Sequence, residues 1–95
     1  MLVRWTPAAL NDLKTISGYI EAQRNLATAN RVSRIIYDAI QMLRRFPASG
    51  KTGIEEGTRE LVVPALPSYI VVYRVIRSEA IQILRIWHGA QARRD

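Results

Sequence analysis

The chain of 95 residues contains no cysteine and only one histidine. The missing cysteines exclude a disulfide framework, a thiolate nucleophile and a cysteine-based zinc site, and they fit a reducing cytosol. A single histidine also excludes a histidine-rich metal centre. No apolar run approaches the roughly 20 residues that cross a bilayer, and Arg4 and Pro7 interrupt the first apolar stretch. We therefore expect a cytoplasmic protein without a metal ion or a membrane segment.

Glycine is scarce as well, with 5 residues, and only GKTG at Gly50 to Gly53 looks like a loop that could cradle phosphates. This segment lacks the preceding strand, the spacing and the following helix of a P-loop. No cofactor is therefore expected.

Positive charge is abundant: the chain has 14 Lys and Arg residues and 8 Asp and Glu residues, which gives a formal net charge of +6. Such a balance favours anionic partners: nucleic acid, an acidic protein segment or a membrane surface. Charge alone does not choose among them. The length suits a single domain over residues 1–95.

The first half of the chain predicts one strand followed by two helices. Leu2 to Trp5 is short and β-prone, and Thr6 can cap a helix that runs from about Pro7 to Ala22. The helical spacing of apolar residues breaks near Asn25 and resumes as far as Phe46, which precedes a proline. Because the connection is short, we expect the two helices to form a hairpin.

The second half predicts strands after a glycine-containing loop at 48–57. TRELVVP, SYIVVYRVI and AIQILRIWH are β-branched and aromatic runs separated by breaks at 64–67 and 77–79. The middle run is apolar on nearly both faces, as is typical of a central strand. The order β-α-α-β-β-β therefore predicts an α+β two-layer sandwich, an antiparallel sheet with the helical hairpin on one face. The other face of the sheet is the natural surface for a site.

Three stretches together resemble the RelE/ParE superfamily, and they cover nearly the whole chain: VRWTPAALNDL, then TRELVVP with SYIVVYRV, and finally IQILRIWHGAQARRD. The resemblance implies a RelE/ParE-like fold with the order given above. It also implies the toxin component of a type II toxin-antitoxin module, a protein that arrests growth when free. A cognate acidic antitoxin would neutralise it in a hetero-oligomer.

The superfamily contains ribosome-dependent endoribonucleases, which cut messenger RNA, and the ParE branch, which poisons DNA gyrase. Ribonuclease members commonly carry an arginine directly after the first tyrosine of the central strand, where this chain has Ile70. They also tend to have a basic or aromatic residue just after the last strand and a tyrosine near the C-terminus. Here Gly89 and the tail AQARRD stand in those places. These departures favour a ParE-like inhibitor that is not an enzyme.

The ribonuclease alternative would need groups that stabilise a pentavalent phosphate and move protons. His88 matches a position where some members carry a catalytic histidine, although a lone histidine at a strand end is more often structural. Arg85 could equally hold a structural salt bridge. The candidate catalytic residues on this alternative are His88, Arg59, Arg74 and Arg85, with Arg93 or Arg94 as further cations.

The predicted antitoxin interface lies on the second helix. Antitoxins of this family are acidic and partly disordered, and they wrap a C-terminal segment around the toxin, so a basic helix is a natural counterpart. The same side chains could instead simply keep the protein soluble. The predicted contacts are Arg31, Arg34, Arg44 and Arg45.

A third interpretation is a small basic nucleic-acid-binding domain, or a toxin homologue that has lost its activity. Its stacking groups would be Trp5, Trp87, Tyr69 and Tyr73. Aromatic residues in alternating runs are more often part of the core.

Overall fold

A computed structural model describes residues 1–89 of the chain. The elements are β1 (Leu2–Trp5), α1 (Pro7–Gln23), α2 (Leu26–Met42), β2 (Lys51–Thr52), β3 (Arg59–Val62), β4 (Tyr69–Ile76) and β5 (Ala80–His88). The predicted order is confirmed, with β2 added inside the segment predicted to be a loop. Two residues are too few to show the alternation by which a strand is recognised in a sequence.

The sheet has five strands in the order β1-β5-β4-β3-β2, so β4 is the central strand that its apolar run predicts. β2, β3, β4 and β5 pair antiparallel, whereas β1 lies parallel to β5. The prediction of a wholly antiparallel sheet is therefore wrong for this pair. Nearly the whole chain separates β1 from β5, and no local pattern encodes the relative direction of two such distant strands.

Side chains at the helix starts explain where the hairpin begins and turns. The Thr6 hydroxyl accepts a hydrogen bond from the Ala9 N–H (3.1 Å) and donates one to the Ile83 carbonyl (2.9 Å), so it caps α1 and fastens it to β5. Asn25 caps α2 by accepting from the Thr28 N–H at 2.8 Å. Regular helix ends at Met42, earlier than the apolar spacing predicts, because the N–H groups of Leu43 to Arg45 bond to carbonyls three residues back and form turns.

The core lies between the hairpin and the sheet. Tyr73 is fully buried there, as its alternating strand predicts, and its hydroxyl donates to the Pro47 carbonyl (2.7 Å) and accepts from the Gly50 N–H (2.9 Å). A Cβ at Gly50 would stand 2.7 Å from that hydroxyl, so only glycine allows this approach. The largest fully buried aliphatic side chains are Ile36, Ile40, Leu43, Ile81, Ile83, Val63 and Val71.

The face of the sheet that points away from the helices is called the open face below. Ile70 and Val72 are buried there, with 4% and 7% of their surfaces exposed, and Leu84 and Trp87 pack against them. β4 is thus covered on both sides. Neither helix in residues 1–89 combines the length and apolar character that crossing a membrane requires.

Candidate functional site

Two of the candidate catalytic arginines lie on opposite faces of the sheet. Arg59 is paired with Tyr73, so its side chain is on the helix side, where it donates to the Gly50 carbonyl at 2.7 Å. Its guanidinium therefore holds the loop between α2 and β2. Arg74 follows Tyr73 and points to the open face, with Nε 3.6 Å from where a Cβ on Gly57 would stand.

Arg85 forms the structural salt bridge considered from the sequence. Its Nε and Nη2 donate to the two carboxylate oxygens of Asp12 at 2.8 and 3.0 Å, and the Ile86 N–H donates to the same carboxylate at 2.8 Å. β1 ends at Trp5 opposite Ile83, so the Asp12 carboxylate takes the place of a neighbouring strand beside the last part of β5. Hydrogen bonding to Asp12 raises the pKa of Arg85 further above its usual value, although burial opposes the shift.

His88 lies on the helix side, opposite Tyr69 across the β4–β5 pair. The two rings meet edge to face, with centroids 5.6 Å apart and planes at 87°. Burial and, secondarily, the nearby Tyr19 raise the pKa of Tyr69. Arg85 is paired with Val72, so its side chain leaves β5 on the open face before the guanidinium reaches Asp12 at the edge of the strand, whereas His88 leaves β5 on the helix side.

The four candidate catalytic residues therefore do not surround a common point within residues 1–89. Arg59 and His88 lie on the helix side opposite Tyr73 and Tyr69 of β4, Arg74 lies on the open face, and the Arg85 guanidinium is held by Asp12 at the edge of β5. The two further predicted cations, Arg93 and Arg94, lie outside the described residues.

Replacing Asp12 with alanine is expected to destabilise the fold by about 1–2 kcal/mol, because the part-buried Ile86 N–H loses its acceptor. The Arg85 side chain is 45% exposed, and water can take over its hydrogen bonds. Urea unfolding measures the effect. Glu21→Ala removes an exposed carboxylate from the same helix and should change the free energy of unfolding by under about 0.5 kcal/mol. Equal effects of the two substitutions would contradict the role of Asp12.

The four predicted antitoxin-binding arginines are spread along α2 and the turn after it. Arg31 and Arg34 are exposed on the helix, and Arg44 donates to the Met1 carbonyl at 3.0 Å. The Arg45 guanidinium lies 5.5 Å from the centre of the Phe46 ring. At 1.5 Å of rise per residue, α2 runs roughly 16 Å from Arg31 to its end at Met42, so the four arginines are spread over about that length or more. They form a row and not one cluster.

An apolar groove beside this row was not predicted from the sequence. It has a volume of about 230 Å³, and we call it the Phe46 groove; its lining residues are Ala39, Met42, Phe46, Ser49, Leu61 and Pro64. Met42 and Phe46 are each 51% exposed, although the helical spacing placed Phe46 in the buried stripe. Because the helix ends before Phe46, the ring leaves that stripe and stays at the surface.

The outer edge of β3 lies next to this groove. β2 pairs only with Arg59 and Glu60, so in the described part of the chain no strand lies outside Leu61 and Val62. Exposed apolar side chains beside an unpaired strand edge are typical of a surface that binds another chain. No group of three or more histidine, aspartate or glutamate residues that could hold a metal ion occurs within residues 1–89.

Comparison with known proteins gives one family. Residues 3–93 match the family model described as the ParE toxin of the type II toxin-antitoxin system parDE. The protein Y4kP of Sinorhizobium fredii, whose name proposes it as a toxin, is 42% identical over 89 residues, which are 94% of this chain and 88% of that protein. The chain therefore belongs to the ParE toxin family of type II toxin-antitoxin systems.

Solved structures share the fold. A chain from the chromosomal ParDE toxin-antitoxin system of P. aeruginosa superposes with a TM-score of 0.82 at 23% identity, covering 93% of this chain and 95% of that one. A chain of the RelBE2 toxin-antitoxin complex from Mycobacterium tuberculosis gives a TM-score of 0.68 at 24% identity, covering 92% and 95%. These likenesses confirm the predicted two-layer RelE/ParE-like architecture.

Proposed function

We propose that this toxin arrests growth by binding DNA gyrase and turning it into a source of DNA breaks, and that an acidic antitoxin holds it inactive. The observation that carries the proposal is the dispersal of the groups that a ribonuclease would need. Arg59 is bonded to a backbone carbonyl, Arg85 to a carboxylate, and His88 lies on the other side of the sheet from Arg74.

An endoribonuclease must bring cations and a proton-transfer group within hydrogen-bond reach of one phosphate. Two N–H donors of Arg85 are already bonded to Asp12. Of the other candidates, only Arg74 leaves the sheet on the same face as the Arg85 side chain. A toxin that acts by binding a protein needs no such convergence. Membership of the ParE family supports the same target class.

The antitoxin surface that we propose combines charge, an apolar hollow and a strand edge. An acidic segment along α2 would contact Arg31, Arg34, Arg44 and Arg45, place an apolar side chain in the Phe46 groove, and pair its backbone with the outer edge of β3. The formal charge of +6 favours this association. Both structural relatives come from toxin-antitoxin systems, which supports an antitoxin as the partner.

The test is a gyrase assay with the purified toxin. Wild type added to gyrase, ATP and relaxed plasmid should inhibit supercoiling and accumulate cleaved DNA that remains attached to gyrase. Arg74→Ala should act within about threefold of wild type, because we give this side chain no catalytic role; binding variants outside hot spots change affinity by less than about 1 kcal/mol. Circular dichroism would verify that the variant is folded.

A translation extract supplied with a defined messenger RNA provides the opposing assay. Neither wild type nor His88→Ala should cleave the message on the ribosome. Cleavage by wild type that disappears in His88→Ala, together with unaffected gyrase, would replace this proposal by the ribonuclease alternative.

A further inference from the structure

Two adjoining hollows lie at the end of the hairpin where α1 passes into α2. Their volumes are about 430 and 530 Å³, and they share Tyr19 and Tyr69 as walls. We call the combined depression the Tyr19 groove. It lies at the opposite end of α2 from the Phe46 groove, since Arg31 lines it and the Phe46 groove begins at Ala39.

The floor of the Tyr19 groove is aliphatic, and its wall includes an exposed aromatic ring. Ile16, Ile20, Val32 and Leu66 contribute to its lining. Tyr19 stands above them with 67% of its surface exposed. Tyrosine and arginine around an apolar hollow are enriched at the few positions that dominate binding energy in protein interfaces. A bulky apolar side chain from another protein fits this environment.

The rim of the groove carries positive charge and hydrogen-bond donors. Arg24 and Arg31 line it, and no aspartate or glutamate does. Within residues 1–89 the ion pair present is that of Arg85 with Asp12, so neither Arg24 nor Arg31 is neutralised by a carboxylate. The Tyr69 hydroxyl also lines the groove and adds a hydrogen-bond donor. The groove is therefore complementary to carboxylates.

We propose that the Tyr19 groove is the surface with which the toxin engages its target protein, and that it receives an acidic segment bearing a bulky apolar side chain. The proposal rests on the proposed function in taking the chain as a toxin that binds a protein. The antitoxin surface proposed above reaches this groove through Arg31, whereas its apolar anchor, the Phe46 groove, begins at Ala39, roughly 10 Å along α2 from Val32. The rest of the Tyr19 groove is thus left for a second protein.

A protein segment suits the groove better than a nucleic acid strand. Bases stack on flat aromatic faces and their phosphates need a track of cations. Here the floor is aliphatic, and the Tyr69 ring already meets the His88 ring edge to face. Two arginines at one rim do not make a phosphate track.

The experiment compares Tyr19→Ala and Arg24→Glu with Tyr37→Ala, which truncates an exposed tyrosine of α2 that is 48% accessible. Arg31 is left unchanged because it belongs to both proposed surfaces. Each variant is induced without antitoxin and colony survival is counted, and the affinity of each purified variant for the cognate antitoxin is measured by calorimetry. Circular dichroism confirms that all three are folded.

Tyr19→Ala and Arg24→Glu should each raise survival at least about tenfold, as expected for the loss of an interface hot spot, while antitoxin affinity stays within about threefold. Tyr37→Ala should match wild type in survival, because Tyr37 does not line the Tyr19 groove. Unchanged survival would overturn the proposal. So would a parallel loss of antitoxin affinity, which would assign the groove to the antitoxin, or a parallel loss of binding to a labelled single-stranded oligonucleotide.

The two proposals fail in different ways. The gyrase assay compares wild type with no toxin, so it tests the identity of the target and does not depend on which surface makes the contact. The survival assay detects loss of any toxic interaction, so it would still support the groove if the target were a protein other than gyrase.

Discussion

Replacing Phe46 with glutamate is expected to weaken antitoxin binding by about 100-fold, or about 2.7 kcal/mol, while toxicity in the absence of antitoxin is retained. The substitution removes the apolar anchor of the Phe46 groove and places a carboxylate where an acidic segment would approach. Because 51% of the Phe46 surface is exposed, the fold should tolerate the change. Calorimetric titration of the variant with antitoxin measures the loss.

Ile54→Glu is the matched control for this prediction. Ile54 is 72% exposed and does not line the Phe46 groove, so adding the same charge there changes only the overall electrostatic attraction. We expect a change below about fivefold, as is usual for charges outside the contact area. Equal losses for the two variants would show that charge alone, and not the groove, determines antitoxin affinity.

Tyr73→Phe is expected to lower the free energy of unfolding by about 2–3 kcal/mol, although the substitution removes only one oxygen atom. The hydroxyl joins the Pro47 carbonyl to the Gly50 N–H inside the core, and the phenylalanine ring would leave both groups without this partner. Urea unfolding followed by circular dichroism provides the measurement.

Tyr37→Phe removes the same atom from an exposed tyrosine of α2 and should cost under about 0.5 kcal/mol. A loss for Tyr73→Phe that is no larger than this control would mean that the loop from Pro47 to Gly50 is held without the hydroxyl. In that case the carbonyl contact from Arg59 to Gly50 would be the main attachment of the loop.

The sequence predicts what local patterns encode. Helical spacing, the capping residue Thr6 and the break near Asn25 locate the hairpin, and the apolar run of β4 identifies the central strand. The parallel direction of β1 against β5 depends on contacts across nearly the whole chain, so it is not encoded locally. The two-residue strand β2 forms only because its backbone pairs with β3.

In the candidate site, too, roles set by local sequence patterns are predictable and roles set by distant contacts are not. A structural role for Arg85 was weighed from its position near the end of the sheet, and the Asp12 carboxylate confirms it. The structural role of Arg59 cannot be predicted from the sequence, because its hydrogen-bond acceptor is a loop carbonyl that no residue pattern reveals. Phe46 was placed in the buried stripe because the spacing of apolar residues continues beyond the point where regular helix stops.

The strand order has a consequence for synthesis of the protein on the ribosome. β5 is the last strand of residues 1–89 to be made, yet it lies between β1 and β4, and Thr6 at the start of α1 is fastened to it. The chain emerges in order, so β1 has no strand beside it and α1 lacks its attachment until β5 has left the ribosome. A product that ends before β5 would lack an inner strand of the sheet and therefore the toxin fold.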